Sequence, residues 1–156
     1  MLVQHLAHMN IAPLRYPPGH PRVAEFIDNI DKVNALAARM PGFVWRFDDR
    51  GDASLARKLF GDPSMTFTIS IWETPEALRH FVWNTIHKRF FDKRAQWFRS
   101  AKSANMVLWW IDAGTRPTPE MAVERLDHLV RYGNSEFAFD WSFLNDAKLS
   151  STRRYG

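Results

Sequence analysis

Along residues 2–12 the side chains alternate. Val3, Ala7, Met9 and Ile11 fall on one side, and Gln4, Leu6, His8 and Asn10 on the other. A period of two predicts a strand. Pro13, Pro17-Pro18-Gly19 and Pro21 then break regular structure and predict a loop. Between residues 22 and 40 the apolar positions are Val23, Phe26, Ile27, Ile30, Val33, Ala37 and Met40. That spacing makes one apolar stripe on a helix, and Pro41-Gly42 ends it. Residues 43–48 predict a short strand with Phe43, Trp45 and Phe47 on one side and Val44, Arg46 and Asp48 on the other. The segment 49–64 is polar and carries glycine, so it predicts a long loop with a helical turn around Ala53–Leu59. Loops of that length usually have a role of their own.

Residues 65–73 alternate most clearly, with Phe67, Ile69 and Ile71 opposed to Thr66, Thr68, Ser70 and Trp72. Thr74-Pro75-Glu76 is the grammar of a helix start: a capping hydroxyl, a proline in the first turn and an acid at the positive end. Ala77, Leu78, Phe81 and Val82 supply its buried stripe, and the pattern resumes beyond Asn84-Thr85 through Phe90, Phe91, Trp97 and Phe98. Residues 106–112 are almost continuously apolar, as in a strand buried on both faces. Gly114 and Pro117 make a turn, and Thr118-Pro119-Glu120 repeats the helix-start grammar. Ala122, Leu126, Leu129 and Val130 continue that helix until Gly133 ends it, and Phe137–Phe139 can add a short strand.

The order β-α-β-β-α-β followed by another helix is that of a ferredoxin-like α+β domain with an extra C-terminal helix. It is expected to span residues 1–144, with 145–156 as a polar, basic tail. Two helices can cover one face of a four-stranded sheet, on the side of Phe67, Ile69 and Ile71. The opposite face would carry Leu6, Trp72 and Trp110 beside His8, Asn10, Arg46, Thr68 and Ser70. Apolar but dotted with polar groups, it is expected to line a chamber closed by a second copy of the chain.

Composition narrows the chemistry. The 156 residues suit one domain, and 12 Phe, 7 Trp and 3 Tyr supply flat walls for a core or for a flat ligand. Cysteine is absent, which excludes disulfides, thiolate metal sites and cysteine nucleophiles and accords with a cytoplasmic location. No apolar run is long enough to span a membrane, and the N-terminus lacks the pattern of a signal peptide. The net charge of +4 is concentrated partly at Lys88–Arg99 and Arg153-Arg154. This reads as a solvated basic face, so nucleic acid is not the expected partner. There is no glycine-rich phosphate loop and no Gly-x-Ser-x-Gly elbow. His5 and His8 fall on opposite faces of a strand, and no other spacing supports a metal site.

The strand 65–72, the helix start Glu73-Thr-Pro-Glu-Ala-Leu-Arg-His80-Phe and the later His87-Lys-Arg-Phe-Phe resemble the dimeric α+β-barrel superfamily. That group includes antibiotic-biosynthesis monooxygenases and haem-degrading monooxygenases. The chain is similar in particular to an uncharacterised bacterial branch, a domain of unknown function. The shared motifs are Asn10-Ile-Ala, Val33-Asn34-Ala-Leu-Ala, Pro41-Gly-Phe-Val-Trp-Arg46, Ser70-Ile-Trp-Glu73, Trp97-Phe98, Leu108-Trp-Trp and Gly114-Thr-Arg-Pro-Thr118. The resemblance spans roughly residues 3–140. It implies a homodimeric barrel acting on an aromatic or polycyclic small molecule with O₂ and without a cofactor. Asn10 would orient oxygen or an enolate, His87 or His8 would take a proton, and Trp72 and Trp110 would wall the substrate. Arg46, Thr68 and Ser70 complete the expected lining, although Arg46 can equally pair with Glu73 across strands. Two alternatives stand beside this reading: haem binding with His87 as axial ligand, and a non-catalytic ligand-binding or stress-response dimer.

Overall fold

The computed structural model of the chain describes residues 3–17, 19–48, 53–84, 93, 95–99 and 104–146. Among them four strands form one antiparallel sheet: β1 (Gln4–Pro13), β2 (Phe43–Arg46), β3 (Met65–Trp72) and β4 (Met106–Asp112), in the order β2-β3-β1-β4. The helices are α1 (Ala24–Ala38), α2 (Ala53–Phe60), α3 (Pro75–Asn84), α4 (Pro119–Tyr132) and α5 (Trp141–Asp146). This is an α+β fold with ferredoxin-like strand order, extended at its C-terminus by helices. The register sets Leu6, His8 and Asn10 of β1 opposite Trp72, Ser70 and Thr68 of β3. Those six residues share one face.

The starts of α3 and α4 are built as their sequences predict. The Thr74 hydroxyl accepts from the Ala77 amide at 3.1 Å, and the Thr118 hydroxyl from the Met121 amide at 3.2 Å. Each satisfies an amide that the helix itself leaves unpaired. Gly42, between α1 and β2, has φ 87°, and its carbonyl accepts from the Glu73 amide at 2.7 Å. The segment 137–139 contributes one bridge rather than a strand: Phe139 and Leu108 exchange both backbone bonds, at 2.7 and 2.9 Å.

The arrangement of layers differs from the one-sided cover expected. Ala7, Met9, Phe67, Ile69, Ile71, Val107 and Trp109 are buried, packed with Leu126 and Leu129 of α4 and Leu55 and Leu59 of α2. The opposite face, with Leu6, Trp72 and Leu108, packs with Ala37 and Val33 of α1, Leu78 and Phe81 of α3, and Phe139 and Leu144. Both faces of the sheet are therefore covered within one chain. The physical reason lies in two elements. The segment read as a long loop folds into α2, whose Ala56 is 3% exposed. The C-terminal helix α4 then roofs the rest of that face.

Strand β2 also departs from simple alternation. Phe43 stands opposite Trp72, Trp45 opposite Ile71 and Arg46 opposite Ser70, with the register shifting between Phe43 and Trp45. A bulge of this kind re-aims side chains. Phe43 moves to the face of Trp72, whereas Trp45 and Phe47 pack with the other core.

Candidate functional site

Between the sheet and the helices α1 and α3 lies a cavity of about 1000 Å³. The residues that line it come from both the sheet and the helices of one chain. Its floor is the face of the sheet that carries His8, Asn10, Thr68, Ser70 and Trp72, with Arg46 joining from β2. Its roof comes from Phe26, Ile30, Val33, Asn34 and Ala37 on α1 and Leu78, Phe81 and Val82 on α3. Six of the eight residues expected at the site therefore meet at one cavity.

The other two do not join them. Trp110 shares the face but stands opposite Leu6, its ring 6.2 Å from Phe139, and it is not among the residues that line the cavity. His87 lies outside the described residues, and the haem ligation that rests on it lies outside them too. Among the described residues no group of three His, Cys, Asp or Glu is placed to hold a metal ion. Arg46 stands opposite Ser70 rather than Glu73, and its Nη1 donates to the Phe47 carbonyl at 3.3 Å. Among the described residues it has no carboxylate partner.

The most ordered part of the site is an aromatic stack. The Trp72 ring is 5.4 Å from Phe81 at 25° and 5.4 Å from Phe43 at 84°. Its Nε1 donates to the Ser70 hydroxyl at 3.0 Å, so the indole is fixed by packing on its faces and by a bond at its edge. Ser70 therefore anchors the wall. Asn10 is half-buried and Thr68 exposed toward the cavity. The Asn10 carboxamide has no side-chain partner among the described residues, which leaves two donors and an acceptor for a ligand. Asn34 on α1 presents a second such amide.

Sequence reasoning missed Asn34, Phe43, Arg15 and Arg99 as lining residues. Asn34 had a signal: it follows Ile30 by four residues, so a polar group borders an apolar stripe. Phe43 had none, because the bulge that turns it inward leaves no mark on the alternation. Arg15 lies among prolines where no period applies, and Phe81 read simply as core.

Charge at one end is partly answered. Arg99 Nη2 donates to Asp62 Oδ2 at 2.6 Å and to the Ser64 hydroxyl at 3.1 Å. The Ser64 hydroxyl and amide donate to Asp62 Oδ1 at 2.6 and 2.9 Å. The two bonds from Ser64 hold the Asp62 carboxyl below its ordinary range; burial opposes them, and Arg99 adds to the lowering.

Among solved structures, the chain is similar to a protein of unknown function from Nitrosomonas europaea, at 14% identity over 76% of this chain and 98% of that one, with a TM-score of 0.48. A protein from Pseudomonas aeruginosa gives 15% identity, 74% and 99% coverage and a TM-score of 0.47. SnoaB, a cofactor-independent oxygenase from Streptomyces nogalater, gives 16% identity, 72% and 96% coverage and a TM-score of 0.45. No curated protein matches the chain. The sequence profile of the family described as "Domain of unknown function (DUF3291)" matches residues 5–154, and the chain belongs to that family.

Proposed function

We propose that the cavity between the sheet and helices α1 and α3 receives a flat aromatic or polycyclic small molecule. In this reading the chain is a cofactor-independent, monooxygenase-like oxidoreductase. The observation that carries it is the cavity itself: about 1000 Å³, walled by Phe43, Trp72 and Phe81, with the free carboxamide of Asn10 on its floor. A large, mostly apolar chamber with a few polar groups is what a small-molecule site requires. The reaction class comes from the sequence resemblance to antibiotic-biosynthesis monooxygenases.

The chemistry asks little of the protein beyond placement. A substrate with an activated CH₂ loses a proton to His8 or His87, giving an electron-rich anion. That anion passes one electron to O₂, and the resulting radical and superoxide combine at carbon. The hydroperoxide then loses water to leave a carbonyl, so that CH₂ and O₂ become C=O and H₂O. The Asn10 amide donates to the enolate or superoxide oxygen, and Trp72 keeps the ring plane against the sheet. The homodimer implied by the resemblance is part of this reading. Sedimentation at micromolar concentration tests that part.

The test of the reaction is aerobic turnover of anthrone, a tricyclic CH₂ compound, followed by O₂ uptake and quinone absorbance. Asn10→Ala is expected to lower kcat by on the order of a hundredfold, the usual effect of removing one oxyanion donor. Unchanged turnover in both Asn10→Ala and Trp72→Phe would dismiss these roles. Binding of the compound without O₂ uptake would make the chain a ligand-binding protein instead.

A further inference from the structure

The charge of the cavity constrains its ligand as much as the shape does. Among the described residues that line it are Arg15, Arg46 and Arg99, and no aspartate or glutamate. Arg99 is answered by Asp62. Among the described residues, the other two guanidinium groups meet only backbone carbonyls. Arg15 donates from Nε to Ala95 at 3.2 Å and from Nη2 to Phe98 at 3.3 Å, and Arg46 donates from Nη1 to Phe47 at 3.3 Å. A carbonyl orients a guanidinium without neutralising it, and arginine does not give up its proton in proteins. Arg46 is also half-buried, where an unanswered charge is costly. Its position is specified by the bulge in β2, which puts Arg46 and Phe43 on the cavity side together.

We infer that the ligand is an aromatic carboxylate and that Arg46 receives its anionic group. This rests on the cavity being the ligand site. The ring of such a ligand lies against Phe43, which is backed by the buried Trp72 and Phe81, while the carboxylate takes the planar donors of Arg46 in a paired geometry. Arg15, more exposed, adds positive field at the mouth rather than a fixed contact.

The experiment is calorimetric titration of the full chain with 2-naphthoate and with 2-naphthamide, a neutral compound of nearly the same shape. The naphthoate is expected to bind at least about tenfold more tightly, an advantage that shrinks as salt is raised. Arg46→Gln is expected to remove the preference for naphthoate, weakening it by at least about tenfold and the amide by a smaller factor. Arg46→Lys is expected to keep part of the preference, and Arg15→Gln to reduce it by a smaller factor. If Arg46→Gln does not fold, the wild-type ratio and Arg46→Lys still decide the matter. Equal affinity of acid and amide for the wild type overturns the anion assignment and leaves the chamber standing. Binding of neither compound overturns the assignment together with the chamber.

Discussion

Trp72 is 1% exposed, so its indole has lost nearly all contact with water and its N–H must find an acceptor inside the protein. Ser70, two residues earlier on the same face, provides it. Trp72→Phe removes the N–H, leaves the Ser70 hydroxyl without its donor and opens a void beside Phe43 and Phe81. The expected loss is on the order of 2 kcal/mol, read from urea unfolding. A change below about 0.5 kcal/mol would mean that the ring is not the packed wall described. Gly42 is constrained from two directions. Its φ of 87° disfavours any side chain, and a Cβ there would meet the Ala77 Cβ at 2.5 Å. Gly42→Ala is expected to cost about 1–3 kcal/mol in the same measurement, because α3 must back away from the turn. Both residues stood in motifs visible in the sequence, yet the reason for each is a contact with a distant part of the chain.

The two threonine-capped helices show how far local grammar reaches. Removing the Thr118 hydroxyl in Thr118→Ala is expected to destabilise the protein by about 1 kcal/mol, read as a lower melting midpoint without loss of cooperativity. The same grammar made α3 and α4 legible, and alternation made β1 and β3 legible, since each pattern arises from local backbone geometry. Helix α2 was visible only as a turn. Eight residues are too few to be helical alone, and Leu55, Leu59 and Phe60 hold it by packing on the sheet. The choice of sheet face for α1 and α3 was not legible either, because β1 and β3 carry apolar groups on both sides. His8, Asn10, Thr68, Ser70 and Trp72 still fall together at the cavity, since strand period alone placed them on one face. Trp110 is on that face but not among the lining residues, because alternation fixes a side but not how far along the strand a cavity extends. At the start of β3, the Asp62–Ser64–Arg99 cluster ties a turn to the strand end near Pro13. Its carboxyl is held low, so its stabilisation is complete above the ordinary carboxylate range and disappears as pH falls through the depressed value. Wild type is therefore expected to be more stable than Asp62→Asn at neutral pH, with the difference closing on acidification. A gap that persists unchanged at low pH would refute this ionisation role.

At the scale of the molecule, the sheet divides two compartments that share no helix. On one side α2 and α4 close over a dense core; on the other α1 and α3 stand over the cavity. A shallow groove of about 420 Å³ also lies on the α4 side, where Glu120, Glu124 and Asp127 outnumber Arg131 among the residues that line it. It offers a carboxylate ligand mainly acids. Ligand binding stabilises most strongly the elements whose opening would release the ligand, so occupancy of the cavity must slow local opening of its own roof. With saturating 2-naphthoate, amide hydrogen exchange is expected to slow in 24–38 and 75–84, and along β1 and β3. Residues 119–132 would be protected only through the global stability that all elements share. Protection concentrated in α4 instead would place the ligand in the acidic groove and move the site to the wrong side of the sheet. The layered fold makes the two outcomes separable, because the sheet stands between the compartments and turns opposite faces of β1 and β3 toward them.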